Sequence, residues 1–425
     1  MSLLIEIPAL IRVSLAFAAI LLAIRRKLSL GHAFLIGGLF LSLLFTLPPV
    51  LMLKAMATAA LAPRTLSLAA IVGLILILSS IMEKTGQMQR MLDAFQGLIK
   101  NPRLNLLVFP ALIGLLPMPG GAVFSAPMVK QLGAHANLSG NRLSFVNYWF
   151  RHIWEYWWPL YPGILLASVL ADVSLALLVP VLAPLTLVSV ALGYGVLKRS
   201  AVAKTSAPAR RRIKPFVIEL LPILLVIIPG LLLGLLLSKS FPDMPIAKEL
   251  GLILALLAAI FQVSRKNRLP FGRLIQISAN RELLKMVYMI FAILIFKELL
   301  EKSGAVELIS RELLWLNIPV FIITLALPFM VGMITGITVA FVGSTFPILI
   351  PLIHSMDPGA SLVPYVMLAM TCGFAGVLLS PLHLCLILSN QYFNAEMKRV
   401  YWLLWLPCAG LMGVSCVYFI GLKLF

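Results

Sequence analysis

A helix-breaking segment lies inside an otherwise apolar run at residues 110–127, where Pro117-Met118-Pro119-Gly120-Gly121 interrupts the pattern of a membrane helix. In hydrocarbon, irregular backbone is tolerated only where it is buried in protein or lines a polar cavity, because its N–H and C=O groups need partners. The break therefore limits how this part of the chain can fold, and it predicts a functional site.

The composition places this segment in a membrane. Of 425 residues, 61% are hydrophobic and 12% are charged, and the mean hydropathy is +1.05. Such values are typical of a polytopic membrane protein, and we expect an all-α fold in the lipid bilayer of the cell membrane. The net charge of +19 lies in short loops between apolar runs. Membrane orientation explains this pattern better than nucleic-acid binding, so no nucleic-acid partner is expected.

The break has a counterpart in residues 328–347, and three landmarks share one offset along the chain. Pro110 and Gly114 match Pro328 and Gly332, and the segment 83–86 matches 301–304 at the same separation. This common offset indicates two related halves, which we place at residues 1–197 and 215–425. Two such halves are typical of secondary transporters.

Apolar length predicts the crossings, since about 20 residues span the hydrocarbon. We predict ten, near residues 4–24, 30–52, 66–83, 143–170, 175–197, 216–238, 247–264, 285–300, 361–391 and 401–423. The segments 104–131 and 318–351 are predicted to be re-entrant hairpins, because each arm has roughly 13–16 residues and is too short to cross alone. Prolines near their middles predict that 143–170 and 361–391 are broken helices.

Loop charge predicts the topology. With both hairpins returning to their own side, the inside loops hold 25 of the 34 Lys and Arg residues. The segment 198–214 carries seven of them and is predicted to be a basic cytoplasmic linker between the halves. Each half then has five crossings, one hairpin and one broken helix. Because five is odd, the second repeat is inverted relative to the first, and both termini lie outside.

The hairpin tips are the predicted substrate site. A helix that begins near Gly121 presents free N–H groups and the positive end of its dipole, which suits a carboxylate. Glycines and hydroxyl residues at the breaks supply further contacts, although the same residues also serve close helix packing. The predicted substrate-binding residues are Pro119, Gly120, Gly121, Ser125, Tyr161, Thr335, Gly336, Thr338, Gly343, Ser344, Thr345, Ser380 and His383.

Ionisable residues in these segments receive separate predictions. His383 follows the break at Pro381, and its side chain either contacts an anion, carries a proton, or is a hydrogen-bonded core histidine. Arg151, His152 and Glu155 lie near the predicted inner end of a span. We expect them to form an interfacial network, with Trp154, Trp157 and Trp158 as an aromatic belt. The four cysteines have no spacing that is typical of disulfides or zinc.

At 110–127 and 336–347 the sequence resembles a prokaryotic membrane family, number 401 among the domains of unknown function. That family is placed in the ion transporter superfamily with gluconate permeases, citrate carriers and dicarboxylate carriers. The resemblance implies a homodimer, a substrate held between hairpin tips and broken helices, and elevator-type movement. Dicarboxylate carriers have Ser-Asn-Thr at each tip for sodium and carboxylate. Here Ser125 and Gly343-Ser344-Thr345 lie in comparable places without an asparagine, so sodium near Ser125, Ser344 and Thr345 and protons both stay open as coupling ions.

These features together predict a secondary active transporter of a small organic anion of the carboxylate type. No GxxxxGK[ST], GxGxxG or HExxH motif occurs in the chain, so we expect no ATP-driven transport, no catalytic residues and no cofactor apart from a coupling Na⁺. One alternative is a cation/proton antiporter, which needs a membrane-embedded carboxylate pair, whereas Asp172 and Glu298 lie at predicted helix ends. Another is an integral-membrane lipid-processing enzyme, whose polar groups would lie at one interface.

Overall fold

The computed structural model describes residues 7–95, 98–99, 101–118, 120–134, 138–198, 213–279 and 281–424, which contain helices and no strand. Most of the predicted linker at 198–214 and the tip residue Pro119 lie outside the described residues. The helices are α1 Ala9–Arg25, α2 Leu30–Leu44, α3 Pro49–Leu61, α4 Pro63–Lys84, α5 Gln87–Phe95, α6 Pro102–Ile113, α7 Ala122–Ala134, α8 Gly140–Arg151, α9 Pro162–Ala171, α10 Leu175–Leu182, α11 Pro184–Lys198, α12 Ile213–Ser240, α13 Ala247–Lys266, α14 Phe271–Ser278, α15 Arg281–Lys302, α16 Ala305–Trp315, α17 Val320–Thr335, α18 Thr338–Met356, α19 Leu362–Leu378, α20 Leu384–Tyr392 and α21 Met397–Leu424.

Six stretches in the described part of the chain are both long and apolar enough to cross a membrane. They are α4, the joined α10 and α11, α12, α13, α18 and α21, and the pair α16 and α17, bent by 119°, adds a seventh if it is one span. This number is smaller than the predicted ten. The segment 30–52 shows one reason, since it is divided into α2 and α3 at Pro48-Pro49, where proline cannot donate a backbone hydrogen bond.

The predicted hairpins correspond to two pairs of helices. Helix α6 contacts α7, and α17 contacts α18 across the break at Gly336 and Ile337. The prediction that every arm is too short to cross is wrong for α18, which has 19 residues and continues past Pro347 and Pro351. In the apolar stretch of α18, 78% of the residues are buried inside the protein. Tertiary packing therefore outweighs the hydrogen bonds that the two internal prolines cannot donate.

Both segments that were predicted to be broken helices contain a break. Helix α8 ends at Arg151, and a series of turns leads to α9 at Pro162. In the second half, α19 ends at Leu378 and α20 begins at Leu384. Turns satisfy several N–H groups in these breaks, for example that of Glu155 with the carbonyl oxygen of His152 and that of His383 with the carbonyl oxygen of Ser380. The remaining backbone groups need other polar partners.

Equivalent elements recur in the two halves at the offset that the sequence indicates. Helix α4 (63–84) and helix α15 (281–302) each have 22 residues, and their first residues are separated by the same offset as Pro110 and Pro328. The glycines that follow them, Gly86 and Gly304, have φ values of +70° and +67°. Both therefore adopt the left-handed conformation that favours glycine.

The contact between each helix pair and its broken helix also recurs. A β-carbon on Gly114 would lie 1.9 Å from the carbonyl oxygen of Arg151, and one on Gly332 would lie 2.2 Å from that of Gly373. Arg151 and Gly373 each lie eight residues before the proline of their break, Pro159 and Pro381. In both halves a glycine thus lets the backbone of α6 or α17 touch the backbone of α8 or α19. Inversion of the halves across the membrane stays a prediction.

Candidate functional site

Arg151, the last residue of α8, is the central buried charge. Its side chain is 2% exposed, and its Nη2 donates a hydrogen bond of 2.9 Å to the carbonyl oxygen of Met118. Its Nε is buried without a hydrogen-bond partner. No carboxylate in the described part of the chain lies within 4 Å of this guanidinium. Among the described residues, this buried cation therefore has no anion in direct contact, which is costly in a low-dielectric interior.

The tip of the first helix pair lies directly against this guanidinium. A β-carbon on Gly121 would be 2.0 Å from Nη2 of Arg151, so only glycine fits this position without displacing the side chain. Gly120 has a φ of +69°, the left-handed conformation that glycine adopts without strain. A β-carbon on Gly120 would lie 3.2 Å from the side chain of Leu388 on α20. The two glycines thus place the tip between Arg151 and α20.

Two histidines from the two breaks face each other beside Arg151. His152 follows α8 and His383 precedes α20, and their Nε2 atoms are 3.2 Å apart with ring planes at 87°. The Nδ1 of His152 lies 2.6 Å from the carbonyl oxygen of Tyr148. Because that oxygen only accepts, the neutral His152 carries its proton on Nδ1 and presents a lone pair at Nε2. The neutral His383 then donates from Nε2, and its buried Nδ1 has no partner.

Glu155 links the first break to the start of α18. The hydroxyl of Thr338 donates a hydrogen bond of 2.5 Å to Oε1 of Glu155, and the other carboxylate oxygen lies 3.8 Å from Nε2 of His152. Thr338 also packs on Gly163 at the start of α9, where a β-carbon would lie 2.6 Å from the threonine methyl group. The second helix pair therefore meets the first broken helix at this point.

Four helices begin around these side chains: α7 at Ala122, α9 at Pro162, α18 at Thr338 and α20 at Leu384. A helix N-terminus presents unpaired N–H groups and a positive partial charge. Several N-termini directed at one buried region favour an anion, as do the broken helices of transporters. The arrangement of Arg151 and these helices therefore has the chemistry of an anion site.

Gly336 and Ser380 belong to the same region. Gly336 has a φ of +66°, and a β-carbon there would lie 2.8 Å from Oγ of Ser380 and 3.0 Å from the backbone nitrogen of His383. The hydroxyl oxygen of Ser380 accepts a hydrogen bond of 3.2 Å from the backbone of Leu382. Thr335 is adjacent in sequence, but its hydroxyl donates to its own helix at Val331. The structure thus brings Gly336 and Ser380 to the site.

Ser125 lies in a separate polar network between α7, α8 and α20. Its hydroxyl donates a hydrogen bond of 2.5 Å to Oδ1 of Asn147, and the amide of Asn147 donates to Oγ of Ser389 and to the carbonyl oxygen of Ala122, both at 2.9 Å. Neither hairpin tip contains an asparagine. The structure supplies one from α8, which sequence comparison of the tips alone did not reveal.

Gly343, Ser344 and Thr345 do not join these groups. A β-carbon on Gly343 would lie 2.6 Å from the side chain of Ile293. The hydroxyls of Ser344 and Thr345 donate to carbonyl oxygens one turn earlier on α18, at 2.7 and 2.8 Å. These contacts favour the helix-packing interpretation for the three residues. A sodium ion near Ser125, Ser344 and Thr345 stays a prediction.

Tyr161 and the neighbouring tryptophans hold the end of α6. The Tyr161 hydroxyl donates a hydrogen bond of 2.7 Å to the carbonyl oxygen of Gly114. The indole N–H groups of Trp154 and Trp158 donate to the carbonyl oxygens of Ala111 at 2.8 Å and Leu115 at 3.0 Å. These donors satisfy carbonyl oxygens at the C-terminal end of α6, and the aromatic belt stays a prediction.

The interfacial location predicted for Arg151, His152 and Glu155 stays a prediction. The structure places them at the centre of the site, in contact with Gly121, His383 and Thr338. A signal for this location is present in the sequence, since ionisable residues inside an apolar segment mark functional positions by default.

The fold and the site define a polytopic, all-helical membrane protein with the fold of a transporter. The chain is similar to the crystal structure of the Alcanivorax borkumensis YdaH transporter, with a TM-score of 0.56 and 15% identity over 87% of this chain and 86% of that chain. It belongs to the family described as protein of unknown function (DUF401), which matches residues 9–420. No curated protein matches the chain. Membership of the ion transporter superfamily stays a prediction.

Proposed function

We propose that this protein is a secondary active transporter of a small organic anion of the carboxylate type. The observation that carries the proposal is the buried guanidinium of Arg151, which has an unpartnered Nε and no carboxylate within salt-bridge distance in the described part of the chain. A substrate carboxylate would supply the missing negative charge and accept charge-assisted hydrogen bonds from the guanidinium. The substrate would thus complete a site that the protein leaves open.

The surroundings of Arg151 support an anion over a cation. The N-termini of α7, α9, α18 and α20 lie around it, and each adds a positive partial charge. Glu155 is the one described carboxylate bonded within the site, and it already accepts from Thr338. The formal charges of Arg151 and Glu155 offset each other, and the helix N-termini make the balance of charge positive.

We further propose elevator-like alternating access in a homodimer of the cell membrane, with two inverted repeats and both termini outside. Support comes from the equivalent elements that recur at one offset in the two halves and from the likeness in fold to a transporter. Two helix pairs and two broken helices surround one buried site, as in transporters that work by alternating access.

The alternatives have less support. Asp172, which an antiporter would need inside the membrane, is 75% exposed and pairs with Arg64 at 2.9 Å. Glu298 pairs with Lys302 at 3.7 Å on the same helix. A lipid-processing enzyme would need its polar groups at an interface, whereas the groups around Arg151 are buried between helices. Transport of an anion is the better account of both observations.

The first test is ligand binding to purified protein. A thermal-shift screen with mono-, di- and tricarboxylates should identify acids that raise the melting temperature, since a ligand at 100 times its Kd stabilises the native state by about 2.7 kcal/mol. Arg151→Gln should abolish the shift. The control is Arg399→Gln, which removes an exposed arginine that pairs with Glu396 at 2.9 Å.

The second test is uptake of the identified acid into proteoliposomes. Loss of a charge-assisted hydrogen bond costs about 1.5–3 kcal/mol, or about 10- to 150-fold in affinity, so Arg151→Gln should weaken uptake by at least that factor. Arg151→Lys, which keeps the charge and loses the fork of donors, should be intermediate. Normal uptake by a folded Arg151→Gln variant would refute the proposed site.

The coupling ion requires a separate measurement. We propose Na⁺ or H⁺, and proteoliposomes with only one of the two gradients imposed distinguish them. Uptake driven by a sodium gradient at equal pH would favour a cation site, and uptake driven by a pH gradient without sodium would favour proton coupling. Uptake without either gradient would refute coupled transport.

A further inference from the structure

A cluster of three potential metal ligands lies between the two breaks. His152, His383 and Cys385 each offer one ligand atom, and the three atoms lie within 4.8 Å of one another. Their side chains are 1%, 7% and 5% exposed. We propose that this cluster binds a thiophilic divalent metal ion such as Zn²⁺, and that the bound ion inhibits transport. The inhibition rests on the proposed transport function, whereas the binding does not.

The spacing of the two imidazoles fits direct coordination. Two nitrogens bound to a tetrahedral zinc ion at about 2.0–2.1 Å lie roughly 3.3 Å apart. The Nε2 atoms of His152 and His383 are 3.2 Å apart. The spacing of the two nitrogens therefore already suits an ion. Coordination also requires that the proton on Nε2 of His383 moves to its Nδ1, that the Cys385 thiol releases its proton to solvent, and that both rings turn their lone pairs toward the ion.

The hydrogen bond at Nδ1 of His152 resembles those made by histidine ligands at zinc sites. Its Nδ1 lies 2.6 Å from the carbonyl oxygen of Tyr148, which fixes the tautomer with a lone pair on Nε2. Metal-binding histidines almost always donate their other N–H to a carboxylate or carbonyl oxygen in this way. His152 is thus already in the protonation state that a ligand requires.

The third ligand decides which metals fit. Cys385 is the second residue of α20, where the helix dipole favours a negatively charged ligand. One thiolate with two imidazoles selects Zn²⁺ and related ions over Na⁺, Mg²⁺ or Ca²⁺, which prefer oxygen. Glu155, whose Oε2 lies 3.8 Å from Nε2 of His152, is the nearest candidate for the fourth position.

A metal ion here would join the two broken helices, which belong to the parts that we propose take part in alternating access. His152 follows α8, and His383 and Cys385 belong to the start of α20. Gly336 of the α17–α18 break approaches His383 so closely that its β-carbon would lie 3.0 Å from the histidine backbone. An ion bound to all three ligands would fix these elements together beside Arg151, so we expect inhibition of uptake.

Short-range patterns cannot reveal this site, because His152 and His383 are 231 residues apart. Zinc motifs are recognised by short ligand spacings. Only the packing of α8 on α20 brings the ligands together.

Metal binding is tested first, without transport. Zn²⁺ and Co²⁺ are titrated into chelator-treated protein in detergent, with calorimetry for Zn²⁺ and near-ultraviolet absorption for the thiolate-to-Co²⁺ charge-transfer band. We expect one ion per chain and a band that disappears in Cys385→Ser. Cys385→Ser and His152→Gln should each weaken Zn²⁺ binding by at least about tenfold. The controls, Cys416→Ser and His354→Gln, should bind Zn²⁺ like the wild type.

A second measurement uses the unmodified protein and is independent of how the variants fold. Zn²⁺ should slow the alkylation of Cys385 by N-ethylmaleimide, followed by mass spectrometry of its peptide, and leave Cys416 unaffected. Binding that is unchanged in Cys385→Ser would overturn the proposed site. Alkylation of Cys385 that proceeds without Zn²⁺ and at the same rate with it would overturn the site as well.

Inhibition is then measured as the ratio of uptake with and without micromolar Zn²⁺ for each variant. We expect Zn²⁺ to reduce uptake at least tenfold in the wild type and in Cys416→Ser. In Cys385→Ser we expect the ratio to stay near one. Zn²⁺ binding with an unchanged ratio would overturn the inhibitory role and leave the binding site intact. Absence of uptake in every sample would instead count against the proposed function.

Discussion

Replacing Gly121 by alanine tests the contact on which the anion site depends. The added β-carbon would lie 2.0 Å from Nη2, 2.8 Å from Cζ and 3.0 Å from Nε of Arg151. Ordinary van der Waals contacts begin near 3.4 Å, so the guanidinium would have to move by about 1.4 Å to restore normal packing. The side chain is 2% exposed and has little free space into which it can move.

The size of the effect follows from the hydrogen bond that this movement breaks. Nη2 donates to the carbonyl oxygen of Met118 at 2.9 Å, and N–H···O distances in proteins vary by only about 0.5 Å. A displacement of about 1.4 Å therefore removes the bond and shifts the donors that are available to a substrate. A hydrogen bond to a charged group contributes about 1.5–3 kcal/mol, which corresponds to about 10- to 150-fold in anion affinity.

The assay is concentration-dependent uptake into proteoliposomes, with thermal-shift titration of the same acid in detergent. The matched control is Gly413→Ala, because a β-carbon on Gly413 in α21 meets nothing within 4 Å. This control should transport normally and be slightly more stable, as alanine is favoured over glycine in a helix by roughly 0.5–1 kcal/mol. We expect Gly121→Val to be more severe than Gly121→Ala. An unchanged half-saturation concentration in a folded Gly121→Ala variant would refute the reasoning.

Three other predictions concern the second half and the topology. Gly336→Ala should reduce uptake by about tenfold, because a φ of +66° costs a residue with a side chain roughly 1–2 kcal/mol and the site is crowded. Uptake and melting temperature, measured together, distinguish a local defect from unfolding. A single cysteine at Ser206, outside the described residues, should react with an impermeant thiol reagent from the inside, and one at Ala360 should react from the outside. Labelling of both from one side would contradict the inverted repeat. The hydrogen bond from Lys423 lowers the pKa of Asp357, so the carboxylate should stabilise the fold by roughly 0.2–1 kcal/mol above pH 4 and lose this effect as the pH falls through its lowered pKa. Melting temperatures of Asp357→Asn and the wild type should therefore converge in acid, and a constant difference would count against this assignment.

The positions of the chain breaks, and their recurrence in the second half, could be predicted from the amino-acid sequence. Proline and glycine act through their own φ and ψ, so the breaks near Gly120 and Gly336 could be recognised without knowledge of what surrounds them. The division at Pro48-Pro49 was missed, because the apolar length of 30–52 predicted a single crossing. The left-handed φ values of Gly86 and Gly304 follow the same rule, and these glycines are separated by the offset that relates the two halves. Apolar length likewise identified a polytopic helical protein, because the thickness of the bilayer is fixed.

Which polar residues meet could be learned only from the packing of the helices. Thr338, Ser344 and Thr345 are alike in sequence, yet the Thr338 hydroxyl donates to Glu155, while those of Ser344 and Thr345 donate to the backbone of their own helix. Burial of Arg151 beside Gly121, and the facing imidazoles of His152 and His383, join segments that are up to 231 residues apart. Such contacts depend on how the helices pack against one another. A hydroxyl or charged side chain can bond to many different groups, so the neighbouring sequence does not identify its partner.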